Sequence, residues 1–330
     1  MNSIEPQYPS ESARLVLVSV NPTAGAGTSG ERVGELCQLL EQRGFTAEAI
    51  TDLAELREKV RASLEDGRLR VVVAAGGDGT VGCVLNETPS GTPLTVLPLG
   101  TENLFSKYLG IEKQAASVAD VVTGGATVEL DAGRANDRLF LLMFSCGFDA
   151  EVVRRLADGR KGNISHLSYA KPVLQSLLNY DFPEVRITWP AELELPGLSS
   201  PLLARWTFAV NLPCYALGLT TAPDATGTDG LLDICTFRKG SILHGLRYLA
   251  AVVLGRQASL PDCTTLQLPS LRLESDRPVP YQVDGDPGGE LPVDVEVVPG
   301  RLKVMVPEAW IEAQQVDPAT GPVDGDNTFA

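Results

Sequence analysis

The feature that most limits what this chain can fold into is a pair of apolar runs, each stopped by glycine. Residues 71–75 read Val-Val-Val-Ala-Ala and run into Gly76, Gly77, Asp78, Gly79 and Thr80. Residues 94–98 read Leu-Thr-Val-Leu-Pro and run into Leu99, Gly100, Thr101, Glu102 and Asn103. An unbroken apolar run of this length suits a strand buried on both faces of a parallel sheet. Ligands of open α/β sheets bind just beyond the carboxyl ends of such strands. Gly76, Gly77 and Gly79 lack a Cβ, so main-chain N–H groups there can come close to a phosphate. Asp78 sets a carboxylate among those amides. That arrangement repels phosphate unless a cation intervenes, and Mg²⁺ is the cation expected. The plain alternative is a tight turn with a solvated aspartate. Two such loops on successive strand units favour nucleotide binding.

Upstream, residues 14–20 form a first strand, stopped by Asn21-Pro22. Gly25, Gly27 and Gly30 follow with the spacing G-x-G-x-x-G, between a strand and a helix over residues 29–43. Residues 47–50 form a second strand. Thr51 and Asp52 then open a helix over 52–65, with Asp52 and Glu55 as a capping box. The alternation predicts a mostly parallel sheet with right-handed crossovers. Short helices are expected over 102–109 and 113–123.

From about residue 128 the pattern changes. Short β-rich runs are expected at 128–132, 139–145, 183–189, 206–212, 231–237, 264–268, 271–274, 279–283, 293–298 and 302–306. Pro, Gly and Asp turns separate many of them, which predicts an antiparallel second domain. Residues 190–201 are expected to be an exposed connection, and 165–180 a helix. The apolar stretch 240–256 is too short to span a bilayer and is expected to pack on the sheet, with contact to a membrane as the alternative. Arg154, Arg155, Arg160 and Lys161 are either a solvated helix face or a grip on phosphate or a lipid headgroup. The expected division is a nucleotide-binding domain over 12–128 and a β-sandwich substrate domain over 129–310. The end of the second domain is expected to return to the first. Residues 317–330 are expected to form a disordered tail.

Net charge is −15, a poor match for nucleic acid. Two histidines, His166 and His244, are too few for a His-based triad or a His-rich metal site. Six scattered cysteines lack metal-ligand spacing and suit free thiols in a reducing compartment. The polar first residues do not form a signal peptide, and no apolar run reaches the length of a membrane span. The chain contains neither a Walker loop nor a Gly-x-Ser-x-Gly elbow.

Three readings of the residues remain open. A Rossmann oxidoreductase would use Gly25, Gly27 and Gly30, with Asp52 on a ribose. A phosphoryl-transfer enzyme would use residues 21–27 and 76–80 together with the acidic turns at Asp229 and at Asp284 and Asp286. Such an enzyme needs a cation on the phosphates and a carboxylate for the accepting hydroxyl. A non-catalytic nucleotide-binding protein would need no second acidic turn.

Seven motifs in order resemble those of the diacylglycerol kinase/sphingosine kinase family in its soluble bacterial branch. They lie at residues 21–25, 76–80, 98–103, 131–134, 147–152, 229–233 and 282–286. The resemblance spans roughly residues 14–306. It implies a doubly wound α/β nucleotide-binding domain like that of NAD kinases, then a mostly antiparallel β-sandwich, with a cleft between them. It implies an ATP-dependent lipid kinase, most directly one converting diacylglycerol to phosphatidic acid. A sphingoid base, ceramide or NAD is the alternative acceptor. Carried over by position, ATP would meet Asn21, Gly25, Thr51, Gly76, Gly77, Asp78, Gly79, Thr80, Val81, Gly82, Thr101 and Asn103. Mg²⁺ would be held by Asp229 with main-chain oxygens of Thr226 and Leu231. Asp286, where many relatives have Glu, would accept the proton, with Asp284 beside it and Asp78 acting through the cation. The implied partners are a lipid at a membrane surface or in micelles and a second copy in a homodimer. The implied location is cytoplasmic, with peripheral attachment to the membrane.

Overall fold

The computed structural model describes residues 5–21, 28–158, 173, 176, 179–214 and 221–315. The chain divides into two compact units, residues 1–130 with 300–330, and residues 131–299. The first begins with the expected alternation: β1 (Leu15–Val20), α1 (Thr28–Gln42), β2 (Thr46–Ile50), α2 (Leu53–Glu65), β3 (Leu69–Gly76), α3 (Asp78–Glu87) and β4 (Pro93–Pro98). α4 (Leu104–Tyr108) and α5 (Ala115–Gly124) follow. Strand order is β2-β1-β3-β4, every pair parallel. All eight residues of β3 and all six of β4 are buried, as unbroken apolar runs require.

The remaining strands are β5 (Ala126–Ala135), β6 (Arg138–Phe140), β7 (Met143–Gly147), β8 (Val185–Thr188), β9 (Leu202–Ala204), β10 (Trp206–Val210), β11 (Leu232–Phe237), β12 (Cys263–Leu268), β13 (Ser270–Glu274), β14 (Pro280–Val283), β15 (Asp286–Glu290) and β16 (Val293–Val306). Helices α6 (Phe148–Asp158), α7 (Ile242–Val253) and α8 (Glu308–Gln315) accompany them. β16 serves both units in turn. Its early residues pair antiparallel with β13, and its Lys303 and Val304 pair parallel with β4.

Within the second unit, one sheet runs β12-β11-β10-β7-β14-β15, with every pair antiparallel. Its β7, β10, β11 and β14 send Phe144, Ala209, Ile234 and Val283 into a core shared with Ile187, Leu271 and Val295 of β8, β13 and β16. The opposite face of the same sheet carries Trp206 and Phe237. Phe148 of α6 meets the first edge-on at 5.2 Å, and Tyr248 of α7 stacks on the second at 4.4 Å. Side chains alternate faces at every strand residue, so β7 and β14 also aim Ser145 and Gln282 at the α6 side. The two residues are register partners.

The structure corrects several sequence expectations. The run over 139–145 breaks into β6 and β7, because Leu141, Leu142 and Met143 turn their N–H groups to the Asp284 carboxylate. The two runs at 293–298 and 302–306 are one strand of 14 residues. β9, β15 and α8 were not expected, and α6 only as one reading of the Arg154–Lys161 cluster. β15 contains Pro287, Gly288 and Gly289, which carry no strand signal of their own. None of the six cysteines is in a disulfide, and only Cys146 and Cys235 are buried. Of the helix expected over 165–180, Val173, Ser176 and Asn179 are helical, and the rest lies outside the described residues. Gly25 and the tail from residue 316 also lie outside them.

Candidate active site

The ends of β1, β2, β3 and β4 lie along one edge of the parallel sheet. Register pairs Ser19 with Ile50 and Gly76 with Pro98. Asn21, Thr51, Gly77 and Thr101 therefore each stand one to three residues past a strand end on the same edge. Open α/β sheets bind ligands there. Thr51 and Thr101 are exposed.

The two glycine loops touch. Leu99 donates its N–H to the Gly76 carbonyl at 3.0 Å. A Cβ built on Gly100 would stand 2.6 Å from the Gly77 Cα, and one on Gly76 would stand 2.1 Å from the Thr80 hydroxyl oxygen. Gly76 and Gly100 are thus demanded by packing inside the protein, before any ligand is considered. Gly79 and Gly82 are different. They sit within helix α3, where glycine costs about 1 kcal/mol each against alanine. A Cβ at either would meet nothing within 4 Å. The space beside them has room for a bound group, at the positive end of the α3 dipole.

Asp78 begins α3 yet reaches across to the next helix. Its carboxylate accepts the N–H groups of Leu104 at 3.0 Å and Phe105 at 2.9 Å, capping α4. Burial raises its pKa, while those amides pull it down. Asn103, buried and at φ 50°, closes the neighbouring loop. Its side-chain oxygen accepts from Gly100 N–H at 2.8 Å, and its amide donates to the Gly100 carbonyl at 2.7 Å. Asp52, the ribose ligand of the oxidoreductase reading, is the N-cap of α2 and accepts the Glu55 N–H at 2.7 Å. Thr80 and Val81 are buried in α3.

The second unit holds the acidic turns. Asp284 and Gly285, at φ 50° and 84°, form the two-residue loop between β14 and β15, with Val283 paired to Asp286. Positive φ at both positions is the hairpin geometry that Asp-Gly favours. The Asp284 carboxylate accepts three main-chain N–H groups, from Leu141, Leu142 and Met143, at 2.7–3.0 Å. Asp286 pairs instead with the Arg138 guanidinium at 3.1 Å, both side chains half-exposed. Beneath the turn, Gln282 accepts the Gly285 N–H at 2.7 Å and donates to the Ser145 hydroxyl at 2.9 Å. Ser145 lies 2.5 Å from the Asp149 carboxylate.

The loop around Asp229 is fastened to the same place. Asp131, buried on β5, accepts the Gly230 N–H at 2.8 Å and donates its own N–H to the Gly227 carbonyl at 2.7 Å. The Asn211 amide donates to the carbonyls of Asp131 and Leu141. Leu141 is thus held by Asn211 on one side and by Asp284 on the other. Asp229 itself is exposed, and one oxygen accepts the Leu231 N–H at 3.0 Å. Nearby, Asp233 is pushed up to about 6, first by burial and then by the charges of Asp229 and Asp224. Among the described residues, no group of three or more His, Cys, Asp or Glu side chains is placed to hold a metal ion.

Sequence reasoning assigned no role to Arg138, Gln282, Ser145, Asp131 or Asn211. Two of them, Asp131 and Gln282, lie inside motifs, as does Asp149, the partner of Ser145, which was the available signal. Arg138 and Asn211 carried none. Of the basic cluster, Arg154 and Arg155 both pair with the buried Glu151. Arg160 and Lys161 lie outside the described residues.

A parallel sheet with glycine loops is joined in one chain to antiparallel strands bearing acidic turns, and the matches below make the protein a phosphotransferase acting on an alcohol group. Residues 15–135 match the diacylglycerol kinase catalytic domain, and residues 143–306 match the YegS C-terminal NAD kinase beta sandwich-like domain. The chain belongs to the diacylglycerol kinase family. A diacylglycerol kinase of Mycobacterium tuberculosis is 29% identical over 88% of this chain and 95% of its own. One from Staphylococcus carnosus is 25% identical over 87% and 94%. A crystal structure of a diacylglycerol kinase from Bacillus anthracis has a TM-score of 0.62 at 18% identity, covering 91% of this chain and 99% of that one, so the fold is shared. Among the described residues no helix is long and apolar enough to cross a membrane.

Proposed function

We propose that the protein is an ATP- and Mg²⁺-dependent lipid kinase that transfers the γ-phosphate to the hydroxyl of diacylglycerol, giving phosphatidic acid at the cytoplasmic membrane surface. The observation that carries this is the open space at Gly79 and Gly82, beside strand ends that line up Asn21, Thr51, Gly77 and Thr101. These residues would hold the nucleotide phosphates through main-chain N–H groups and short hydroxyl side chains. Thr226, Asp229 and Leu231 would hold Mg²⁺. When bound, Mg²⁺ supplies charge neutralisation for the site.

On the second unit, Asp286 would take the proton of the acceptor hydroxyl. Arg138 holds its carboxylate. Gln282 fixes the turn, and Asp284 serves as its anchor, its oxygens committed to three amides. The domain assignment follows the same division, with nucleotide binding in the first unit and acceptor handling in the second. In the oxidoreductase reading Asp52 would have to meet a ribose while one of its oxygens caps α2.

The test is transfer of labelled γ-phosphate from ATP to a panel of lipids in mixed micelles, with NAD included. Labelled phosphatidic acid is the expected product. Phosphorylation of a sphingoid base or ceramide would change the substrate. Phosphorylation of NAD alone would overturn the lipid assignment.

A further inference from the structure

Helix α7 exposes a broad apolar face, with Arg247 as its one exposed charged residue. At 100° per residue, Gly245, Tyr248, Ala251 and Val252 fall on one side and are buried. Ile242, Leu243, Leu246, Ala250 and Val253 fall on the other and are exposed, as is the cap residue Leu254. Leu243 is 75% exposed and Leu254 67%. Among the described residues, seven large hydrophobic side chains are exposed, and five of them are on this one helix or its cap. Scattered exposed leucines need no explanation, whereas a contiguous apolar patch marks an interaction surface. The expectation that 240–256 packs on the sheet is therefore half right: one face packs, and the other meets solvent.

The charge around the patch runs against the rest of the molecule. The chain carries −15, yet residues 238–256 contain Arg238, Lys239, Arg247 and Arg256 and no acidic residue. All four are exposed. Arg247 lies 3.6 Å from Asp262, and Arg238 donates to the Pro261 carbonyl, which ties two of them to the rim of the patch. An apolar stripe with a basic rim on a helix of 12 residues is too short to span a bilayer. It has the composition of a helix lying in the plane of a membrane interface. A second copy of this chain meets it poorly, since a two-fold contact would set the basic rims against each other. A lipid surface supplies both the apolar layer and the anionic rim.

We infer that α7 docks the protein on anionic bilayers, with Leu243, Leu246, Val253 and Leu254 entering the headgroup boundary and Arg238, Lys239 and Arg256 meeting anionic headgroups. The inference rests on the lipid-kinase reading only in supplying a reason for docking, and its test is separate. Full-length protein is floated with vesicles of phosphatidylcholine, with and without phosphatidylglycerol. The parent should bind the anionic vesicles. The double variant Leu243→Glu, Val253→Glu should lose roughly 10- to 100-fold in partitioning. Its melting temperature should not fall, since both side chains are exposed. Arg238→Ala with Lys239→Ala should lose binding several-fold on anionic vesicles and little on neutral ones. Transfer to a short-chain acceptor dissolved as monomers should be unchanged in the Glu double variant, while transfer to acceptor in vesicles falls. Dependence of vesicle binding on these residues in a protein that phosphorylates no lipid would sink the kinase reading and leave this inference standing. Equal vesicle binding by parent and Glu variant would overturn the inference. So would conversion of a dimer to a monomer by the Glu variant with vesicle binding unchanged.

Discussion

At Asp78 both carboxylate oxygens receive amide protons from the first turn of α4. An asparagine there can accept one of them but turns its own N–H₂ to the other. Asp78→Asn should therefore cost about 1–3 kcal/mol, the price of one buried unsatisfied donor. Burial raises the Asp78 pKa. A carboxyl raised in the folded state contributes stability while protonated, and that contribution is lost as pH climbs from about 4 through the folded value. The variant has no such proton to lose. The gap in melting temperature between parent and variant should accordingly narrow as pH rises, read by thermal melts in a pH series. ATP·Mg²⁺ binding should also weaken in the variant when measured well below its melting point; unchanged binding would reduce Asp78 to a helix cap. Asp284 and Asp286 invite a second comparison. Asp284→Asn strands at least one of three amides and should lower both melting temperature and turnover. Asp286→Asn breaks only a half-exposed ion pair, worth about 0–1 kcal/mol, and should cost turnover with little loss of stability. Full activity in Asp286→Asn would remove it as the proton acceptor. The sequence displayed all three carboxylates, each in a glycine-flanked turn. It did not display their partners, because Leu104, Phe105 and Leu141 offer main-chain N–H groups that every residue type carries. Arg138 was equally silent, one arginine among many until the fold set it beside Asp286.

Elements are joined here by arginines that reach helix ends. Arg301, on β16, donates to the carbonyls of Leu85 and Thr88 at 2.8 and 2.7 Å, closing the C-terminus of α3. Burial lowers its pKa without a nearby carboxylate. Arg70 does the same for α5 through the carbonyls of Val122 and Thr123. Hydrogen bonds from a charged donor contribute about 1.5–3 kcal/mol each. Arg301→Ala should lower stability by roughly 2–4 kcal/mol in denaturant melts, since its two acceptors regain some water. A loss below about 0.5 kcal/mol, within the range of ordinary surface changes, would show that α3 needs no such closure. Periodicity made the parallel strands and their helices readable, because buried runs and caps such as Asp52 are local signals. The breaks it missed have non-local causes. The split between β6 and β7 depends on a carboxylate more than a hundred residues away in sequence. The fusion of two short runs into β16 depends on pairing with β13 at one end and β4 at the other.

On the scale of the molecule, the first unit is built from both ends of the chain. A chain ending at residue 299 would lose the strand beside β4, the Arg301 closure of α3 and the Trp310 hydrogen bond to the Tyr108 carbonyl. It should fail to fold cooperatively, seen as a broadened or absent melting transition. The division of labour can be read from ligand-linked stability. A ligand that binds only the folded form adds about 2.7 kcal/mol at a hundred times its Kd. ATP·Mg²⁺ should therefore raise the melting temperature of the parent. Gly100→Ala should lose that shift, because its Cβ would stand 2.6 Å from the Gly77 Cα and force the two loops apart. Asp286→Asn should keep the whole shift while turnover falls ~10²–10⁴-fold, the usual share of acid–base catalysis. If phosphoryl transfer is so loose that a base contributes little, the fall will be smaller but the shift still intact. An Asp286→Asn protein that no longer responds to ATP·Mg²⁺ would make the carboxylate part of the nucleotide grip, and the assignment of acceptor chemistry to the second unit would fail with it.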